Sequence, residues 1–125
     1  MKILVTGGAG FIGSHIAETY LEDGHEVTIV DDLSMGSKDN VPAGARFVEL
    51  DITTDSFSRF VMDERFDAIN HHAAHMELRV SVDKPVHDAT INILGSLRLL
   101  EAARKSDVQH VILASTAAVL GEFTE

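Results

Sequence analysis

The stretch "TGGAGFIG", residues 6–13, is where residue types and spacing first point to chemistry. It contains G-x-G-x-x-G at Gly8, Gly10 and Gly13, and G-x-x-G-x-x-G at Gly7, Gly10 and Gly13. Glycines at this spacing let the backbone turn sharply and approach a pyrophosphate without a Cβ in the way. A helix opening directly afterwards would face the phosphates with free N–H groups and partial positive charge. Asp31 closes the next apolar run, "EVTIVD". A carboxylate there can accept from adenosine ribose hydroxyls and would repel a 2′-phosphate, which favours NAD over NADP. Glycines alone would mark only a tight turn. A strand before them, a helix after them and an acid closing the next strand together make the dinucleotide fingerprint.

Other reactive side chains carry less. His71, His72 and His75 invite a metal reading, but "AINHHAA" reads as a strand end, and no cysteine or carboxylate group completes a zinc set. We expect structural or crevice histidines and no metal. The acids at Asp51, Asp55, Asp63, Glu64 and Asp67 lack the glycine-hinged spacing of a calcium loop and read as a solvated face.

The elements that would position the glycine loop alternate. "KILVT" predicts a buried strand, residues 11–22 a helix closed by a left-handed Gly24, and residues 26–31 a second strand. Residues 32–44 are loop by composition. A third strand is expected over 45–50, a short helix from Thr53 or Thr54 to about Met62, and a fourth strand with its exit loop over 66–74. The longest helical pattern runs over 85–105, with Pro85 in its first turn. Its apolar stripe is Val86, Ala89, Ile93, Leu97 and Leu100, widened by Leu94, Leu99 and Ala103, which suggests a helix covered on more than one side. A fifth strand follows over 110–116. The alternation predicts an α/β fold, a Rossmann-like doubly wound parallel sheet of about five strands in the order 3-2-1-4-5.

Bulk properties bound the function. At 125 residues one domain is expected. The net charge of −10 argues against nucleic acid and anionic membrane as partners, so an anion must be held locally by backbone amides. There is no cysteine, hence no thiolate site. The first apolar run is too short for a signal peptide or a span, and a cytoplasmic protein is expected.

The motifs "VTGGAGFIGSHI", "DDLSMG", "DIT", "HHAAH", "SVDKPVHDATINILGSLRLLEAAR" and "ASTAAVLG" resemble the extended short-chain dehydrogenase/reductase family, within it the NAD-dependent nucleotide-sugar epimerases and dehydratases. The resemblance implies that Gly7, Gly10, Phe11, Ile12 and Gly13 surround the pyrophosphate. Asp31 would take the adenosine ribose, with Asp32, Ser34 and Gly36 lining the same pocket. Asp51 and Ile52 would flank the adenine, Asp51 accepting from its exocyclic amine. His72, Ala73, Ala74 and Met76 would lie toward the nicotinamide-side ribose and phosphates; lysine is common where Met76 stands. Asn92 would tie the long helix to the loop after strand four. Ser115 would reach the cofactor, and Thr116 matches the Ser/Thr that assists the catalytic tyrosine.

In that family the catalyst is Y-x-x-x-K, a tyrosinate base whose pKa the lysine lowers. The tyrosine of this chain is Tyr20, and Gly24 stands where the lysine would be. The family usually has tyrosine at Leu120. The resemblance therefore implies the cofactor-binding part of such an enzyme, residues 1–125, truncated relative to the family and without its substrate domain. A nucleotide sugar would be a partner only of a longer protein, and this chain alone would be inactive. A non-catalytic dinucleotide-binding or oligomerisation module is the alternative. Strand five would then be an open edge and the long helix would show an apolar patch, from which we expect a homodimer.

Overall fold

A computed structural model describes residues 1–121; the end of the expected 1–125 domain lies outside the described residues. Five parallel strands form one sheet in the order β3-β2-β1-β4-β5, as the alternation predicts. They are β1 (Lys2–Thr6), β2 (Glu26–Asp31), β3 (Arg46–Glu49), β4 (Ala68–His71) and β5 (His110–Leu113). Leu4 stands in register with Thr28 on one side and Ile69 on the other. β1 is therefore central, and its apolar run is buried on both faces.

Helix α1 (Phe11–Glu22) covers one face, where Ile3, Val5, Ala17, Val27, Ile29 and Ala68 form a core. It ends as Gly24 predicts. Gly24, at φ 79°, donates to Leu21 O and the next amide, of His25, to Tyr20 O, both at 3.0 Å. Helix α2 (Asp55–Glu64) starts at Thr54, whose hydroxyl accepts from Phe57 N at 3.2 Å. It packs with the C-terminal helix on the other face, over Leu4, Val30, Ile52, Phe57, Ile69 and Leu99.

The structure departs from the expected elements at several places. A short helix, α3 (Leu78–Asp83), stands where no element is predicted. Six residues with Leu78 and Val82 exposed show no stripe for periodicity to detect. The helix over 85–105 is continuous but not uniform: α4 (Pro85–Ala89) passes through a π segment (Thr90–Gly95) into α5 (Ser96–Lys105). Ser96 Oγ donates back to Asn92 O at 2.8 Å in the segment where the turn widens, and π turns concentrate at functional sites. The stripe singled out from sequence is not the face that meets the sheet, and it forms the exposed apolar patch expected on this helix. Leu99, Ala102 and Ala103 are buried on the sheet, whereas Val86, Ile93, Leu97 and Leu100 are exposed. Periodicity finds an apolar face but does not say which of two such faces meets the sheet.

β5 is also shorter than expected. It stops at Leu113 because its partner β4 stops at His71; Ala114 N adds one last bond, to His71 O at 3.1 Å. Ser115 and Thr116 lie beyond the ladder. Among the described residues no helix is long and apolar enough to cross a membrane.

Candidate functional site

The chain winds from β1 out to β3, then returns across β1 to β4 and β5. The winding reverses between β1 and β4, and their carboxyl ends leave a crevice there, the position where open α/β sheets hold ligands. This crevice has a volume of about 460 Å³. Its floor is the glycine turn, Gly7 and Gly10. One wall carries Asp31, Asp32, Ser34 and Gly36, another Asp51 and Ile52, and the lip is His72, Ala73, Ala74 and Met76.

Two positions of the turn require glycine. Gly7 sits at φ 69°, a left-handed conformation that side chains rarely adopt, and a Cβ on it would lie 2.6 Å from Ala73 N. A Cβ on Gly13 would lie 2.3 Å from Gly7 O, so Gly13 lets α1 press against the turn. A Cβ on Gly10 would meet only Gly7 O, at 3.3 Å. Gly10 leaves the backbone bare toward the crevice, the cradle a pyrophosphate needs. α1 has no side-chain cap at its start, so its first N–H groups remain available to a ligand. Phe11 and Ile12, at that start, are exposed.

Asp31 is buried, yet its carboxylate is only half used. Oδ2 accepts from Ala9 N at 3.0 Å and Oδ1 from Leu33 N at 2.9 Å. These bonds lock the end of β2 to the glycine turn. An ionised carboxylate has about four acceptor positions, so lone pairs remain for ribose hydroxyls. Among the described residues no lysine or arginine lines the crevice, while Asp31, Asp32, Asp51 and Glu77 do. A phosphate here would have to be met by backbone amides, and an additional 2′-phosphate beside Asp31 would be repelled.

Behind the lip runs a buried relay. Ala73 N donates to Thr6 Oγ1 at 3.3 Å, which lies 2.6 Å from His71 Nδ1; His71 Nε2 lies 3.0 Å from Ser96 Oγ, which donates to Asn92 O. With the Ser96 hydroxyl committed to Asn92 O, the network assigns a neutral His71 carrying its proton on Nε2. Burial, helped by the neighbouring His72, pushes the His71 imidazole down to about 4. Burial also lowers His72, whose Nε2 meets Asn70 Oδ1 at 2.8 Å; Asn70 Nδ2 in turn donates to Tyr20 OH at 2.9 Å. Asn92 does not line the crevice. It holds the lip from behind, accepting from His75 N at 2.8 Å and donating to His75 O at 2.9 Å. Ser115 and Thr116 are exposed after β5 and are not among the crevice lining.

A larger concavity, about 570 Å³, lies between α2 and α5. Its floor is Met62, Leu94, Leu97 and Ala102, and charges on its rim pair with each other, Asp55 with Arg98 and Glu101 with Lys105. Nothing polar converges inward there, so size does not make it the site. Among the described residues no group of three or more His, Asp or Glu side chains could hold a metal. His75, His87, Thr90 and Ile91 also line the crevice; sequence reasoning missed them as site residues, because the π segment and the clamp on His75 bring them there.

A glycine turn at a sheet switch point, a bare helix start and a carboxylate closing β2 define a Rossmann-type nucleotide-binding unit. The family model for "NAD dependent epimerase/dehydratase family" matches residues 3–125, and the chain belongs to that family. It is 42% identical over 121 residues to a putative UDP-glucose 4-epimerase of Methanocaldococcus jannaschii, covering 96% of this chain and 40% of that protein. The Thermus thermophilus UDP-glucose 4-epimerase, solved in complex with NAD, superposes with a TM-score of 0.88 at 44% identity, over 93% of this chain and 38% of that one. The Thermotoga maritima enzyme, solved with UDP-glucose, gives 0.94 at 40% identity, over 100% and 41%. The chain thus spans about 40% of the length of these relatives.

Proposed function

We propose that this chain is the NAD-binding part of a nucleotide-sugar epimerase of the UDP-glucose 4-epimerase type. The observation that carries the reading is the crevice at the β1/β4 switch point, where the bare Gly7–Gly10 turn, the half-used Asp31 carboxylate and the Asp51–Ile52 wall meet. When bound, NAD supplies a hydride acceptor and donor for a sugar carbon. The residues of this chain bind and orient it. Amides at the start of α1 meet the pyrophosphate, Asp31 fixes the adenosine ribose, and Asp32, Ser34 and Gly36 close the wall beside it. His72, Ala73, Ala74 and Met76 exclude water along the nicotinamide side, and Asn92 and His71 hold that loop in place.

The base chemistry of such an epimerase needs a tyrosine and lysine in Y-x-x-x-K. The 125 residues include a single tyrosine, Tyr20, and its hydroxyl accepts from Asn70. We therefore assign Thr116 at most an auxiliary role in catalysis and propose that this chain alone turns over no sugar. The nucleotide sugar becomes a partner only in a protein that supplies the remaining machinery.

Calorimetry with NAD and NADP tests the binding half of the proposal. Heat with NAD and much weaker heat with NADP is expected; no binding of either, or tighter NADP, defeats it. A coupled assay for conversion of UDP-galactose to UDP-glucose, with NAD added, tests the other half. Turnover by the 125-residue chain would show that its catalyst had been overlooked.

A further inference from the structure

We propose that His75 is a contact for the purine base of the bound dinucleotide; this deepens the NAD reading and rests on it. Its Nε2 is buried and has no hydrogen-bond partner in the structure. A buried polar atom without a partner carries a desolvation cost that a bound group would remove. The neighbouring histidines offer no such vacancy, since both ring nitrogens of His71 and Nε2 of His72 are already engaged. The other buried orphan, Thr28 Oγ1, sits on the central part of β2 rather than in the crevice.

The ring is held ready. Asn92 grips the amide and the carbonyl of His75, and His87 packs edge-on against the imidazole, with ring centroids 5.3 Å apart and planes at 71°. Its neighbours decide which part of a dinucleotide it meets. His75 and Ile91 both line the crevice, and the backbone of His75 is held by Asn92, which stands beside Ile91 in the π segment. A Cβ on Gly95 would lie 2.7 Å from Ile52 Cδ1, so the π segment stands tight against the loop leaving β3. This places His75 at the Asp51–Ile52 end of the crevice. Ile52 and Ile91 give that end apolar surface, Asp51 an acceptor, and His75 a ring nitrogen able to donate or accept. A flat heterocycle with an exocyclic amine and ring nitrogens matches this set. A phosphate does not, because Asp51 is acidic and among the described residues no lysine or arginine lines the crevice.

Calorimetry of AMP and NAD binding to the 125-residue chain, His75→Leu and His75→Gln tests this, with circular dichroism confirming that each variant is folded. Loss of one net hydrogen bond predicts that His75→Leu weakens AMP and NAD alike, by about tenfold, and that His75→Gln recovers most of the loss. Imidazole ¹⁵N signals of His75 should move when AMP is added to the unsubstituted chain. Equal affinity of His75→Leu and the unsubstituted chain for AMP, with unmoved His75 signals, would mean that a water alone meets Nε2 and would overturn the proposal. A loss seen with NAD but not with AMP would overturn the assignment to the base. Failure of the unsubstituted chain to bind NAD or AMP would overturn both this inference and the cofactor reading beneath it.

Discussion

Asn92 treats His75 as a neighbouring strand would: its side-chain amide accepts the backbone N–H at 2.8 Å and donates to the backbone C=O at 2.9 Å. One side chain thereby satisfies both main-chain groups of a lip residue that has no ladder of its own. Asn92 Nδ2 also lies 3.1 Å from Asp88 Oδ1, which receives the Ser81 hydroxyl at 2.7 Å, so α3 is drawn into the same network.

Replacing Asn92 with leucine removes both bonds and leaves the His75 amide and carbonyl to find water. We expect a loss of about 1–3 kcal/mol, a Tm lower by several degrees in calorimetry, and weaker NAD binding. Asn92→Asp keeps the acceptor but sets a carboxylate oxygen against the His75 carbonyl and Asp88 Oδ1, and should cost at least as much as leucine.

His71 makes stability depend on pH. Its pKa is pushed from 6.5 down to about 4 by burial, so between these values the unfolded chain binds the proton and the folded chain does not. Stability then rises with pH across the window. The contribution is fully present above pH 6.5, fades as pH falls and is gone below about 4, a swing of about 3 kcal/mol. Urea unfolding at steps from pH 7 to pH 4 measures it. His71→Gln should be less stable at pH 7 but should show a flatter slope through the same range.

The glycines of the turn should separate into two kinds. Gly13→Ala puts a Cβ 2.3 Å from Gly7 O, a clash with backbone that must push α1 off the turn. We expect a loss of about 3 kcal/mol or more, or no folded protein. Gly10→Ala meets only the 3.3 Å contact with Gly7 O and should fold, with a thermal midpoint close to that of the unsubstituted chain. On the proposed reading Gly10 faces the pyrophosphate, so its Cβ should lower NAD affinity by about tenfold or more. Melting curves and calorimetry on both variants distinguish packing from binding.

The homodimer is a proposal, supported by the exposed face of Val86, Ile93, Leu97 and Leu100 and by Ile112 and Leu113, half exposed on β5, the last strand of the sheet among the described residues. Contiguous apolar surface of this kind is uncommon on monomers. Sedimentation equilibrium at micromolar concentration should give a two-chain species, and Leu97→Glu should shift it toward one chain without lowering Tm much. A single-chain species for the unsubstituted protein would contradict the proposal.

The sequence by itself determined the local features whose causes are local. Gly7 and Gly13 specify a strand-to-helix turn because other residues would collide there, Gly10 keeps its backbone bare, Gly24 stops α1 through its own φ, and Thr54 caps α2 within one turn. The parallel order followed from the alternation of strands and helices with right-handed crossovers. Tertiary structure decided which face of the 85–105 helix meets the sheet, because Leu99 and Leu97 are equally apolar and only the neighbouring layer distinguishes them. It also decided the π segment, the Asn92 grip on His75 and the buried state of His71. The last two join residues that are distant in sequence, as with Thr6 and Ser96 on the two sides of His71. Hydrogen bonds across such separations exist only after the sheet has brought its strand ends together, and no periodicity along the chain announces them.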